Sequence, residues 1–331
     1  MKILLIGGTM FVGKHCVEQL LAHGHEVTIF HRGKHPVTHD GVQEIHGDRD
    51  GGLDALQGKW DAVIDTCGYI PRVVRASCEH LKDKATQYVF VSTVSVYKDF
   101  SSGTITEESE RQTIDTPDTE TVDGTTYGPL KALCEDAVTS IFDANGCIVR
   151  PGLIVGPDDY TDRFTYWVRR IAEGGEILVP DDPRAVVQWI DVRDLAGFIV
   201  TLLEKKQGGT YNAVGPEKSI MFNEYIAECV REFHSDAHIV PVPYTFLKEE
   251  NIAPWSDIPF WVPSEDDMGG MLRVLPDHSI QAGMRLRPLR ETLHDTRTWD
   301  LARGDVTFRA GITREKEKEL LEKWNNKSKM T

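Results

Sequence analysis

Residues Lys2-Ile-Leu-Leu-Ile-Gly7 read as a short buried strand, and Gly7-Gly-Thr-Met-Phe-Val-Gly13 follow it with no spacer. An apolar run that breaks into glycines and resumes as the amphipathic segment Val12–His23 commits the chain to a strand–turn–helix unit. Backbone N–H groups at such a helix start point at an anion, and the helix dipole favours its charge. Gly7 makes the tight turn, and Gly13 lets the helix approach the sheet. In a Gly-x-x-Gly-x-x-Gly arrangement the middle glycine would stand at position 10, where this chain has Met10. Gly7, Thr9, Met10, Phe11, Val12 and Gly13 are the first candidate cofactor contacts.

The same alternation continues. Strands are predicted at Lys2–Gly7, Glu26–His31, Val42–His46, Ala62–Thr66, Tyr88–Thr93 and Cys147–Arg150, with helices at Val12–His23, Arg72–Leu81 and Tyr127–Phe142. Strand–helix alternation gives an α/β fold, a Rossmann-type doubly wound parallel sheet covered on both faces. Residues 1–150 are expected to form this dinucleotide-binding part. Residues 151–331 are expected to be mainly a smaller substrate-binding lobe, with some segments returning to the first. There the pattern is less regular: helices at Phe164–Ala172, Val192–Glu204 and Phe222–Phe233, strands at Val187–Ile190, Thr210–Val214 and His238–Val242. Asp99–Asp123 is polar and aperiodic and reads as a surface loop. Ala253–Pro263 is aromatic and proline-rich, a lid over substrate or a structural strap. Thr313–Lys327 reads as a charged helix capped by Thr313, with Leu320, Leu321 and Trp324 on its apolar side.

Composition narrows the function classes. A net charge of −15 opposes nonspecific nucleic-acid binding, and no stretch is long and apolar enough to span a bilayer. Six scattered cysteines without a Cys-x-x-Cys pair fit reduced thiols, and Met1 runs directly into a strand, so a cytoplasmic protein is expected. The twelve histidines show no metal-ligand spacing; His31, His35, His39 and His46 read as solvated loop positions, and no catalytic metal is expected.

The second strand ends in Phe30-His31-Arg32-Gly33, which offers no acid for a ribose 2′-hydroxyl but one guanidinium for a 2′-phosphate. Arg32 therefore favours NADP(H), with NAD(H) the alternative. Asp48, in Gly47-Asp48-Arg49, faces the adenine amino group or closes an Asx-turn. Arg49 and Cys67, the latter just past the fourth strand, complete this end of the candidate set.

Tyr127 and Lys131 stand at i and i+4 on one helix face. An ammonium near a phenol stabilises the phenolate, so Tyr127 can exchange a proton, and Lys131 can also hold the nicotinamide ribose. Thr93, at the carboxyl end of a central strand, is placed to orient the same substrate oxygen, or to cap a turn. Thr93, Tyr127 and Lys131 are the candidate catalytic set.

In order along the chain stand Gly-Gly-Thr-Met-Phe-Val-Gly13, Gly47-Asp-Arg49, Val91-Ser-Thr-Val-Ser-Val-Tyr97, Tyr127-Gly-Pro-Leu-Lys131, Arg150-Pro-Gly-Leu-Ile-Val-Gly-Pro157 and Gln188-Trp-Ile-Asp-Val-Arg-Asp-Leu195. This series resembles the extended short-chain dehydrogenase/reductase superfamily, in its NAD-dependent epimerase/dehydratase branch. The opening is similar to that of a reductase-like subgroup and of the chloroplast stem-loop-binding proteins. The resemblance implies that Pro151 to Ile154 line the nicotinamide, that the later lobe binds a small-molecule substrate, and that a homodimer is possible. Two departures stand out: Leu153 where epimerases usually have Asn, and Val187 where they commonly have Arg. Both replace polar anchors for an anionic substrate. Val94-Ser95 after Thr93, in place of Asp-Glu, argue against a dehydratase.

The leading expectation is an NAD(P)-dependent reductase or dehydrogenase transferring hydride on a carbonyl/alcohol pair. The alternatives are an NAD-dependent sugar epimerase that retains its cofactor and, from another class, a dinucleotide-binding regulatory or RNA-associated protein.

Overall fold

The computed structural model describes residues 1–101 and 104–329; residues 102 and 103 of the predicted Asp99–Asp123 loop lie outside the described residues. Seven parallel strands form the central sheet: β1 (Lys2–Ile6), β2 (Glu26–His31), β3 (Gln43–His46), β4 (Trp60–Asp65), β5 (Ala85–Val91), β6 (Gly146–Pro151) and, after three strands that lie outside this sheet, β10 (Gly209–Ala213). Their spatial order is β10-β6-β5-β4-β1-β2-β3. The order reverses at β1, the switch point where doubly wound sheets open a crevice at their carboxyl ends.

Alternation along β1 sorts the two faces. Ile3 and Leu5 pack among residues of α1 (Phe11–Ala22) and α5 (Val192–Glu204), whereas Leu4 and Ile6 pack among those of α2 (Pro71–Leu81) and α3 (Tyr127–Phe142). All four are at most 1% exposed, and burial stabilises each by roughly 1.5–3 kcal/mol relative to exposure. Helix ends follow local chemistry. Pro71 starts α2 where its missing N–H costs nothing, and the Asp191 carboxylate accepts from Arg193 N at 2.9 Å to cap α5.

The second core joins α4 (Arg163–Ala172), β8 (Glu176–Pro180), α6 (Phe222–Glu232), β12 (His238–Val242) and α7 (Tyr244–Glu249) around Phe164, Trp167, Trp189 and Tyr225. β9 (Val186–Asp191) runs parallel to β7 (Ile154–Val155) and antiparallel to β11 (Gly215–Met221). α8 (Asp277–Ala282), α9 (Leu289–Arg303) and α10 (Arg314–Ser328) follow. α10 is capped by Thr313 and buries Leu320 and Leu321. Phe260 and Trp261 are fully buried in this core and Trp167 Nε1 donates to Pro259 O at 2.6 Å, so the 253–263 segment is a strap.

The structure adds elements that the sequence pattern left unassigned: β7, β8, β11, α7, α8 and the fifteen-residue α9. Two histidine readings need correction; His46, though exposed, is the last residue of β3 and not a loop position. His31 is the last residue of β2, 8% exposed, with Nε2 3.0 Å from Glu44; it is not a solvated loop position.

Candidate active site

A cavity of about 670 Å3 runs along the carboxyl ends of β1, β2 and β4 and reaches past β5 to α3. Its floor is the glycine turn. Gly7 sits at φ +106°, a conformation that favours glycine, and returns its N–H to Phe30 O at 3.0 Å. A methyl group on Gly13 would lie 2.6 Å from the Gly8 backbone nitrogen, so only hydrogen fits where α1 crosses the turn. Met10 is 46% exposed at the N-cap and does not intrude. Thr9, Met10, Phe11 and Val12 all line the cavity.

Past the end of β2 stand Arg32, Lys34 and His35, none ion-paired among the described residues. Asp48 lines the cavity while its Oδ1 accepts from Asp50 N at 3.0 Å, so it also closes an Asx-turn. Arg49 is turned inward: its guanidinium meets both oxygens of Asp65 at 2.7 Å and donates to Ser77 at 3.0 Å. Its charge is matched inside the fold. Cys67 lines the cavity with Sγ 3.6 Å from Ile6 O.

The inner end holds Tyr127 and Lys131. Lys131 is 3% exposed; its Nζ donates to Gly68 O and Val91 O at 2.7 and 2.8 Å and lies 4.0 Å from the centre of the Phe90 ring. Burial lowers its pKa to about 8. Burial also raises the pKa of the Tyr127 phenol, against a hydrogen bond with Thr93 that pulls it down. Thr93 itself, 7% exposed, accepts from Ser95 N at 3.1 Å and caps the turn 94–96. The structure thus brings Thr93, Tyr127 and Lys131 together, with Thr93 behind the cavity wall formed by Val91 and Ser92.

Beyond β6 the wall is Gly152, Leu153 and Ile154; Pro151 stays in the strand opposite Ala213. Val187 is fully buried in the second core and cannot reach a ligand. Two tyrosines that the sequence motifs did not single out, Tyr69 and Tyr160, also line the cavity, 45% and 44% exposed. Tyr69 lies past the end of β4, and its ring centre is 6.4 Å from that of Tyr127. Its place after a central strand is the signal that could have found it. Tyr160 meets Phe11 edge-on at 6.1 Å. Its loop is held to α1 by Lys14 Nζ on Asp158 at 2.7 Å and His15 Nε2 on Pro157 O at 3.2 Å.

The model of the NAD dependent epimerase/dehydratase family matches residues 62–214. The chain is 27% identical over 250 residues to the chloroplast stem-loop binding protein of 41 kDa b of Arabidopsis thaliana. That match takes 70% of this chain and 62% of the relative, so the chain spans under two thirds of that relative's length. Among solved structures, Bordetella bronchiseptica WbmH in complex with NAD+ shares the fold with a TM-score of 0.67 and 17% identity, over 92% of this chain and 99% of that one. UDP-glucose 4-epimerase of Thermotoga maritima with UDP-glucose gives 0.64 and 16%, over 92% and 100%. No helix among the described residues is long and apolar enough to cross a membrane. The matched segment, a little under half of the chain, carries Thr93, Tyr127 and Lys131, and the central sheet shares its fold with these solved structures.

Proposed function

We propose that this protein is a nicotinamide-dependent oxidoreductase acting on a carbonyl/alcohol pair of a small molecule, with Tyr127 as its acid/base. One observation carries the reading. Tyr127 and the buried Lys131 ammonium stand at the inner end of the same cavity whose outer end is the glycine turn.

The cavity fits a dinucleotide: the turn is hydrogen-lined where a diphosphate needs close backbone approach, and α1 directs its N-terminus there. Arg32 and Lys34 supply unpaired cationic groups for a 2′-phosphate, with the His35 ring beside them, which supports NADP(H) over NAD(H). When bound, the nicotinamide donates or accepts the hydride.

The chain's own groups handle the proton. A phenol whose pKa is raised by burial is protonated at neutral pH, so Tyr127 donates to a carbonyl oxygen as it becomes an alcohol. Thr93 opposes that upward shift and helps the phenolate that remains. The Lys131 ammonium, fixed by two carbonyls, supplies positive charge at the same end. Leu153 gives the substrate side an apolar wall, which favours a substrate without a diphosphate.

The latch of Lys14 and His15 on Asp158 favours a second reading, an epimerase that keeps its cofactor between turnovers. A regulatory RNA-binding role, suggested by the name of the Arabidopsis relative, is opposed by the net charge of −15. Calorimetric titration of cofactor-stripped protein with NADPH and NADH tests the proposal, followed by a carbonyl-substrate screen with wild type and Tyr127→Phe. Reversible binding, tighter for NADPH, with turnover lost by ~10²–10⁴-fold in Tyr127→Phe supports it. Cofactor that cannot be stripped supports the epimerase, and no binding of either overturns both.

A further inference from the structure

At the other end of the sheet from the cofactor cavity, three side chains from distant parts of the chain converge. His23 follows the last residue of α1, Gly24 turns the chain at φ +74°, and His25 precedes β2. Glu204 ends α5, 179 residues beyond His25. Glu204 Oε1 lies 3.0 Å from His23 Nδ1 and 3.0 Å from His25 Nε2, and the donor atoms of all three residues fall within 4.8 Å of one another. The two imidazole rings are stacked, with centres 6.3 Å apart and planes at 26°.

We propose that His23, His25 and Glu204 form a binding site for a divalent transition-metal ion of the zinc class. Two imidazoles and one carboxylate are a ligand set that suits zinc, cobalt and nickel. Donors 2.0–2.2 Å from one ion in tetrahedral geometry stand about 3.3 Å apart, close to the present 3.0 Å nitrogen–oxygen spacings. The site is also held ready. His25, its side chain 7% exposed, has Nδ1 3.3 Å from the Met1 nitrogen, which aims Nε2 at Glu204; on metal binding the ring proton sits on Nδ1, donated to the Met1 amine, and one proton leaves to solvent. His23 and Glu204, 45% and 37% exposed, leave an open side on which a water can complete four-coordination.

An electrostatic argument adds to the geometry. α1 and α5 lie on the same face of the sheet, and both end at this point. Each helix brings the partial negative charge of its carboxyl terminus, so a cation here interacts favourably with two dipoles as well as with Glu204. The ion would tie the two helix ends together and stabilise the fold away from the cofactor turn. The group His31, Glu44 and His46 has a similar ligand spacing but no pair of helix ends, and His31 Nδ1 accepts from Gly33 N at 3.3 Å. It serves as the internal comparison.

The test is calorimetric titration of untagged, chelator-treated full chain with Zn2+, paired with thermal unfolding. Wild type, Glu204→Gln, His23→Gln and His46→Gln are compared, with circular dichroism to verify that each is folded. The expected result is a saturable equivalent in wild type and His46→Gln, and a rise of a few °C in the unfolding midpoint with excess ion. Affinity should fall at least ~10-fold in Glu204→Gln and His23→Gln, since losing even a supporting partner costs ~10–100-fold. Either of the two variants is sufficient if the other fails to fold. No saturable binding in wild type, an unchanged titration in the folded variants, or loss only in His46→Gln overturns the proposal.

Discussion

The Lys131 ammonium lies 2.8 Å from the Val91 carbonyl oxygen, at the end of the strand that leads into Thr93. That contact, with its twin to Gly68 at 2.7 Å, fixes a positive charge at the inner end of the cavity at the cost of desolvating it. Burial brings the Lys131 pKa to about 8, below the ordinary 10.5. Between pH 8 and 10.5 the unfolded chain therefore holds a proton that the folded protein has released. Stability contributed by this group rises with pH across that window. Urea unfolding midpoints measured from pH 7.5 to 10.5 should show this component in wild type and lack it in Lys131→Met. The variant should also lose NADPH affinity, because the charge at the nicotinamide end is gone; wild-type affinity would remove Lys131 from the cofactor site.

Gly13→Ala tests the floor of the cavity. Its new methyl would sit 2.6 Å from the Gly8 nitrogen, and backbone cannot rotate aside as a side chain does. We expect a loss of stability of about 1–3 kcal/mol, together with loss of dinucleotide binding. Thermal unfolding and calorimetry on the same sample check both.

The glycine turn and the Tyr127 helix are readable in the sequence because their signals are local. Gly7 and Gly13 mark a turn whose shape admits little else, and Tyr127 with Lys131 needs only helical spacing. α9 was invisible for a physical reason. Several of its buried positions are polar: Thr292 donates to Asp191 at 2.8 Å, and Asp300 pairs with Arg169 at 2.7 Å, so the apolar periodicity that betrays a helix is missing. Arg49 carries the same lesson in the site. Its motif suggests a cofactor contact, but its partner Asp65 ends β4, which two strands separate from β3 in the sheet, and that pairing exists only after folding. His31 reads as a loop residue beside Arg32 until β3 brings Glu44 alongside.

Arg32→Ala should separate the two cofactors. A hydrogen bond to a charged group contributes about 1.5–3 kcal/mol, so NADPH affinity should fall ~10–100-fold while NADH affinity changes little. Lys34→Ala should weaken NADPH in the same sense, since Lys34 lines the same end and has no ion pair among the described residues. Equal losses for both cofactors would remove the 2′-phosphate assignment.

The latch between α1 and the Tyr160 loop has its own pH signature. Burial alone would lower the His15 pKa, but hydrogen bonds with Asp158 and Glu18 overcome it and hold the imidazolium up to about 9. Asp158 is held down to about 2, first by His15 and then by Lys14. A raised histidine contributes stability that is fully present below its unfolded pKa of 6.5 and fades as pH rises to about 9. A depressed aspartate contributes stability that is present above 3.8 and fades as pH falls to about 2. The latch is therefore strongest between about pH 4 and 6.5. Bound NADPH should dissociate faster at pH 9 than at pH 6.5 if Tyr160 and its loop close the cavity. Asp158→Asn should flatten that dependence, because His15 and Lys14 both lose their shared carboxylate. Stopped-flow release of NADPH, followed by its fluorescence in wild type and variant, decides the point. A wild-type pH dependence that survives intact in Asp158→Asn would mean that the loop does not gate the cofactor.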